Sequence, residues 1–216
     1  MSLALDHVLL AVPDLEVGAA RLRDTYGLLS VPGGRHPGVG TANRLVPLGS
    51  TYLELITVVD EAEAEANPLG LVAPALRRGA HFASWAVRTD DLDSELRRFE
   101  TLGFPTLGPH RGARLRPDGV TLRWRTLHLG DGLNPALPFV IEWQVPAGEH
   151  PAELPVTHPV GEASIERVVL SAPRPAQLRD QLRTLLGELP AEVVGGASEE
   201  VTAVRLRAGD RLLVLD

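Results

Sequence analysis

The chain has 216 residues, of which 44% are apolar, a formal charge of −7 and no cysteine. That length and apolar share allow a substantial core, as one large domain or two small ones, and the missing thiol excludes disulfides, thiolate nucleophiles and cysteine-ligated metals. All 21 basic residues are arginine, which also excludes Schiff-base lysines and a P-loop, and the acidic balance points away from nucleic acid.

The opening Met-Ser-Leu-Ala-Leu-Asp lacks the basic and apolar regions of a secretory leader, and no apolar run approaches the ~18 residues of a membrane span. The expectation is a cytoplasmic protein without a membrane partner.

From Leu5 the chain reads as a strand that turns at Pro13 and Asp14 into an amphipathic helix, Leu15 to about Thr25, capped by Asp14 and closed by Gly27. Val31 to Gly40 is too rich in Gly and Pro for a regular element and reads as a loop or short strand. Thr41–Leu48 and Thr51–Val58 read as a hairpin with its turn at Gly49 and Ser50. Asp60 to about Arg78 contains Pro68 and Pro74 and reads as a connector with a helical turn or two.

A second unit begins near Phe82. It has a helix from Asp91 to about Leu102, a loop holding His110, Arg111, Arg114 and Arg116, and strands at Val120–Leu129 and Phe139–Gln144. The long hairpin loop Gly130–Pro138 suits a position over a pocket. Pro146 to Pro159 reads as an extended linker, with His150 and His158 in it. A third unit places a helix at Ala176–Leu186 and a final hairpin at Val201–Asp216. Its punctuation echoes the first unit: Leu5 and Ile165, His7 and Arg167, Pro13 and Pro173, Gly27 and Gly187, Gly49 and Gly209 are each 160 residues apart.

The expected fold is therefore α+β: repeated βαβββ units, two of them (about 3–59 and 81–145) paired around a cavity within residues 1–160, and a degenerate βαββ unit at 161–216. Strand alternation puts His7, Tyr52, Glu54 and Ile56 on one concave face and Leu53 and Leu55 against the helix. A carboxylate among Leu53, Leu55 and Ile56 is costly to bury without a partner. Glu142, in Phe139-Val-Ile-Glu-Trp-Gln, is read as its counterpart, 88 residues on. Two carboxylates and an imidazole facing one hollow suit a divalent-metal site or acid/base catalysis.

These features resemble the vicinal-oxygen-chelate superfamily of glyoxalases, extradiol dioxygenases and bleomycin-resistance proteins. The run Gly34 to Gly49 followed by Tyr52-Leu-Glu-Leu-Ile, Arg116-Pro-Asp-Gly with Leu122-Arg-Trp, and Pro138-Phe-Val-Ile-Glu-Trp are similar to its glyoxalase-like subgroup, over roughly residues 3–160. The resemblance implies two units forming an open curved mixed sheet, with up to four metal ligands drawn from the first and last strands of both. Carried over, His7, Glu54 and Glu142 would hold a divalent ion (Zn, Ni, Mn or Fe), while Ser84 stands where a second histidine is expected. His81 lies three residues earlier with the wrong parity.

Glu142 and Glu54 are then the candidate proton-transfer residues, and His36, Asn43, Tyr52, Ser84, Trp124 and His128 the candidate pocket wall. His110 with its arginines is either a solvated basic loop or a clamp for an anionic substrate. The implied function is a glyoxalase-like small-molecule enzyme of lyase or isomerase type. The alternative is a metal-free protein that sequesters its ligand. Neither reading involves a nucleotide cofactor, and the third unit could serve a homodimer.

Overall fold

The computed structural model describes residues 3–188 and 190–216. The first half runs β1 (Ala4–Ala11), α1 (Leu15–Tyr26), β2 (Val31–His36), β3 (Thr41–Leu48), β4 (Thr51–Val58), then short helices α2 (Glu61–Ala66) and α3 (Val72–Arg78). The second runs β5 (Phe82–Arg88), α4 (Leu92–Thr101), β6 (Thr106–Leu115), β7 (Thr121–Leu129) and β8 (Phe139–Trp143). A further unit follows: β9 (Ala163–Ala172), α5 (Pro175–Leu186), β10 (Ala191–Gly195), β11 (Glu200–Ala208) and β12 (Arg211–Leu215).

Local chemistry sets the helix boundaries. Asp14 accepts from the amides of Glu16 and Val17 at the start of α1, and Gly27 ends it with φ 67°, where its amide bonds back to Arg23 and Leu22. Asp91 caps α4 in the same way through Ser94.

The first eight strands close into a ring in the order β1-β4-β3-β2-β6-β7-β8-β5. The sheet is mixed as expected, with β1 parallel to β4 and β5 parallel to β8. It is a barrel rather than an open sheet. The halves join through the β1–β5 ladder on one side and through a single pair, Arg35 and Leu115, on the other. One strand comes from a stretch read as a loop or short strand, and another from a stretch read as a loop. The Gly- and Pro-rich run after Val31 forms β2, which slips register between Pro32 and Gly34, and the Arg-rich run forms β6, paired along its length with β7. Tertiary pairing overrides weak local propensity at both places.

The outer faces of the barrel strands, with Val8, Leu53, Leu55, Trp85 and Val87, merge with α1, α4 and the final unit into one apolar core. The final unit is βαβββ, one strand more than expected, and its sheet order is β10-β9-β11-β12. Here β9 pairs with β10, the strand delivered by the crossover helix, whereas β1 pairs with the last strand of its unit, β4. The 160-residue coincidences therefore mark a shared element order without a shared strand arrangement. The loop 130–138 lies away from the cavity: Ala136 O accepts from Trp85 Nε1 at 3.0 Å, and Asn134 bonds Glu199 of the final unit.

The segment 146–159 is anchored rather than a free linker. It contains a short 3-10 turn, Pro151–Glu153. His158 bridges Pro47 O (2.7 Å) and the amide of Leu29 (3.0 Å), and His150 reaches Asp6 in β1.

Candidate active site

The barrel encloses a cavity of about 440 Å³. Its polar wall comes from β1, β3 and β4, which contribute His7, Asn43, Tyr52 and Glu54, with His36 from β2 and Arg114 from β6. Trp124, His128, Phe139, Ile141 and Trp143 complete the far side, and Arg111 and residues of 37–39 and 64–73 add to the lining.

Glu54 is the one acidic residue among the described residues that line the cavity, and it is only 6% exposed. Asn43 Nδ2 donates to its Oε1 at 2.5 Å, and His7 Nε2 stands 3.4 Å from its Oε2. His7 is stacked on Tyr52 at a centroid distance of 4.5 Å and meets the edge of Phe139 at 5.5 Å. Its other nitrogen, Nδ1, donates to Asp6 Oδ2 at 2.6 Å.

Asp6 was not foreseen in the sequence. It is completely buried, and a register shift between Leu5 and His7 in the β1–β5 ladder lets adjacent residues place their side chains together. Its second oxygen accepts from His150 Nε2 at 3.0 Å, and Trp143 Nε1 lies 3.3 Å from Oδ2. Burial pushes the Asp6 carboxyl up, but the bonds and charges of His150 and His7 outweigh it and hold the group well below the ordinary carboxylate range. An ionised Asp6 fixes the proton of His7 on Nδ1 and aims Nε2 at Glu54.

His36 lies in the wall with Nδ1 2.8 Å from Thr41 Oγ1 and Nε2 3.5 Å from Asn43 Nδ2. Burial lowers its pKa to about 4, with Arg114 and His7 adding to the effect against the charge of Glu54. Burial, then the neighbouring His110, likewise lowers His128 to about 4. Burial and the charges of Asp6 and Glu54 raise the Tyr52 phenol. At neutral pH these three side chains are uncharged. Trp124 packs on Trp143 at 5.2 Å and over Gly112, where a Cβ would come within 2.2 Å of the indole nitrogen.

Two expected site residues lie elsewhere. Glu142 faces outward: its Oε1 accepts from the Leu92 amide at 3.1 Å, at the start of α4, and Arg125 Nε bonds its Oε2 at 2.7 Å. The register explains the error. Val12 N–H bonds Ile56 O as Thr89 N–H bonds Ile141 O, so the two units are offset by 85 residues at their last strands (Ile56 to Ile141), and Glu54 corresponds to Phe139. The offset of 88 that matched two glutamates differs by an odd number, which reverses the side of the sheet. Ser84 is buried in β5 with its hydroxyl 3.4 Å from Trp85 O, too short to join the wall formed by Leu9 and Phe139.

Of the four ligand positions that the resemblance implies, two therefore carry donors, His7 and Glu54, and two carry Ser84 and Phe139. Among the described residues no group of three or more His, Asp or Glu side chains is arranged to hold a metal ion. His7 already has a carboxylate at each ring nitrogen. The donor set does not fit the four-ligand centre.

A barrel of paired βαβ-type units around one polar wall defines a glyoxalase-like fold. The match of a family model described as "Glyoxalase-like domain" to residues 5–186 places the chain in that family, within the vicinal-oxygen-chelate superfamily. The match extends beyond the two units that carry the motifs, through β9 and α5. A hypothetical protein from Staphylococcus aureus superposes with a TM-score of 0.80 at 15% identity, over 97% of this chain and 92% of that one. Methylmalonyl-CoA epimerase from Mycobacterium tuberculosis is 24% identical over 65% of this chain and 86% of its own, with a TM-score of 0.45. A single-residue variant of Streptomyces coelicolor methylmalonyl-CoA epimerase, in complex with 2-nitronate-propionyl-CoA, is 20% identical over 67% of this chain and 97% of its own, at 0.49. No functionally curated protein matches the sequence.

Among the described residues no helix is long and apolar enough to cross a membrane.

Proposed function

We propose that this protein is a small-molecule enzyme of the isomerase or lyase type, in which Glu54 exchanges a proton with a substrate enclosed in the barrel. The single observation that carries this reading is the arrangement of Glu54: a buried carboxylate on the cavity wall, fixed by Asn43 and facing a histidine that Asp6 orients. A general base needs that combination of reach and fixed direction.

In the proposed step Glu54 removes a proton from a carbon next to a carbonyl. The C–H bond breaks and its electron pair moves onto the carbonyl oxygen, giving an enolate. Return of the proton to carbon or oxygen yields the isomer, or loss of a leaving group on the next carbon yields an alkene. His7, with Nε2 toward Glu54, shares the proton while the enolate exists. No metal enters this sequence, because the donors present do not fit the inherited centre.

Hydrogen exchange tests the proposal without knowledge of the net reaction. A panel of 2-oxo acids, 2-substituted carboxylic acids and thioesters is incubated in D2O with wild type or Glu54→Gln, and α-proton signals are followed by NMR. The expected result is catalysed exchange for at least one compound, reduced at least about a hundredfold in Glu54→Gln. Exchange no faster than buffer across the panel, or equal in the two proteins, would overturn the reading and favour a sequestering role.

A further inference from the structure

The cavity wall contains two arginines, the exposed Arg111 and the buried Arg114, and neither forms an ion pair among the described residues. Arg114 is 2% exposed, its Nε has no hydrogen-bond partner, and Glu54, whose charge acts on it within the cavity, does not bond it. Its neighbour Arg116 shows the usual solution, pairing with Asp118 and Glu149. A guanidinium left buried and unpaired is strongly unfavourable, as it is when one partner of a buried ion pair is removed.

The position of Arg114 gives that cost a use. It projects from β6 into the wall shared with Glu54 and also borders a second hollow formed with Pro32, Pro117 and Leu154. The rest of the far wall is Trp124, Trp143, Phe139 and Ile141. Histidines 36 and 128 carry no charge at neutral pH. A molecule filling this space therefore meets one buried positive charge, Arg114, with the exposed Arg111 beside it, a broad aromatic surface and one carboxylate base.

We propose that Arg114 anchors the carboxylate of the ligand, so that the protein selects small organic monocarboxylates with an apolar body and presents their reactive carbon to Glu54. The planar guanidinium matches a carboxylate through paired N–H donors. The one buried guanidinium balances one negative charge, whereas a phosphate dianion would bring a second charge toward Glu54. The selection of an acid rests on the proposed role of Glu54 only for what happens after binding.

The test uses aryl and C6–C10 alkyl carboxylates, each with its primary amide and the corresponding alkyl phosphate, titrated by calorimetry into wild type, Arg114→Met, Arg114→Lys and Glu54→Gln. Circular dichroism and thermal midpoints check folding. The expected result is that wild type binds at least one acid tenfold or more tightly than its amide and its phosphate. Arg114→Met should lose that discrimination, with amide affinity unchanged, and Arg114→Lys should restore part of it. Glu54→Gln should bind the acid at least as well as wild type while failing in hydrogen exchange, so the anchor and the base are judged separately.

Equal binding of acid and amide by wild type overturns the proposal even if Arg114→Met does not fold. So does discrimination that persists in Arg114→Met, a preference for the phosphate, or a panel in which no acid binds.

Discussion

Asp6 and His7 are consecutive residues of one strand, yet both are buried and joined by a 2.6 Å bond between Oδ2 and Nδ1. A regular strand would send them to opposite sides. The register shift beside Leu5 is what lets a hydrogen-bonded chain run from His150 through Asp6 to His7, whose Nε2 then stands 3.4 Å from Glu54.

Asp6→Asn should therefore act at a distance on the proton-transfer pair. The amide keeps the shape but loses the charge that holds His7 and His150, and the expected loss of stability is about 2–4 kcal/mol. Any α-proton exchange should fall with it, although Glu54 is intact, and its pH profile should move. Urea denaturation and the NMR exchange assay measure both. Unchanged stability would contradict the role given to Asp6.

Glu142→Gln separates the two glutamates. Glu142 bonds the Leu92 amide at the positive end of α4 and Arg125, so the expected cost is about 1–2 kcal/mol of stability. Exchange activity and carboxylate binding should stay within about twofold of wild type. A loss as large as that of Glu54→Gln would place Glu142 at the reacting centre after all.

Gly112→Ala tests the packing of the far wall. The added Cβ would lie 2.2 Å from the Trp124 indole nitrogen, so the ring must move into the cavity at a cost of about 1–3 kcal/mol. Tryptophan fluorescence should shift, and bulky aryl acids should lose affinity more than small alkyl acids. Equal affinities for both would show that Trp124 does not shape the binding space.

Acid should weaken the fold in a defined order. The pKa values of His36 and His128 are lowered to about 4 in the folded protein, against ~6.5 in an unfolded chain. Between those values the unfolded state binds protons that the folded state refuses, so stability falls as pH drops through this window, by at most about 3 kcal/mol for each residue. Asp6 has a depressed folded pKa, so its contribution is present above the ordinary carboxylate value of 3.8 and is lost below it. Urea midpoints at pH 7.5, 5.5 and 4.5 should decline, and less steeply in the double variant His36→Gln/His128→Gln. Equal slopes in both proteins would refute the assignment.

Much of the fold was legible because its signals are local. Asp14, Gly27 and the alternation of Tyr52-Leu-Glu-Leu-Ile each state their own structure, and with them His7 and Glu54 on one wall. The failures were relational. β6 is a strand because β7 pairs with it, and nothing in its Gly- and Arg-rich sequence says so. Glu142 was misplaced because a match between residue types was allowed to set an offset that only the ladder bonds at Val12 and Thr89 determine. Asp6 carried one usable signal, an acid directly before the strand histidine, but its direction depends on a bulge that a sequence does not announce. The proposed anchor was half legible: the arginine cluster left a solvated loop or an anion clamp open, and only the structure separates the buried, unpaired Arg114 from the exposed Arg111 and the paired Arg116.

Residues 37–39 and several between 64 and 73, in the segment joining the two halves, line the cavity from outside the barrel strands, whereas Glu54, Asn43 and His7 stand on those strands. Under the proposed function, selection and proton transfer thus depend on separate pieces of chain. Replacing residues 64–73 by another sequence would then change which molecules are admitted while leaving Glu54 and its partners in place.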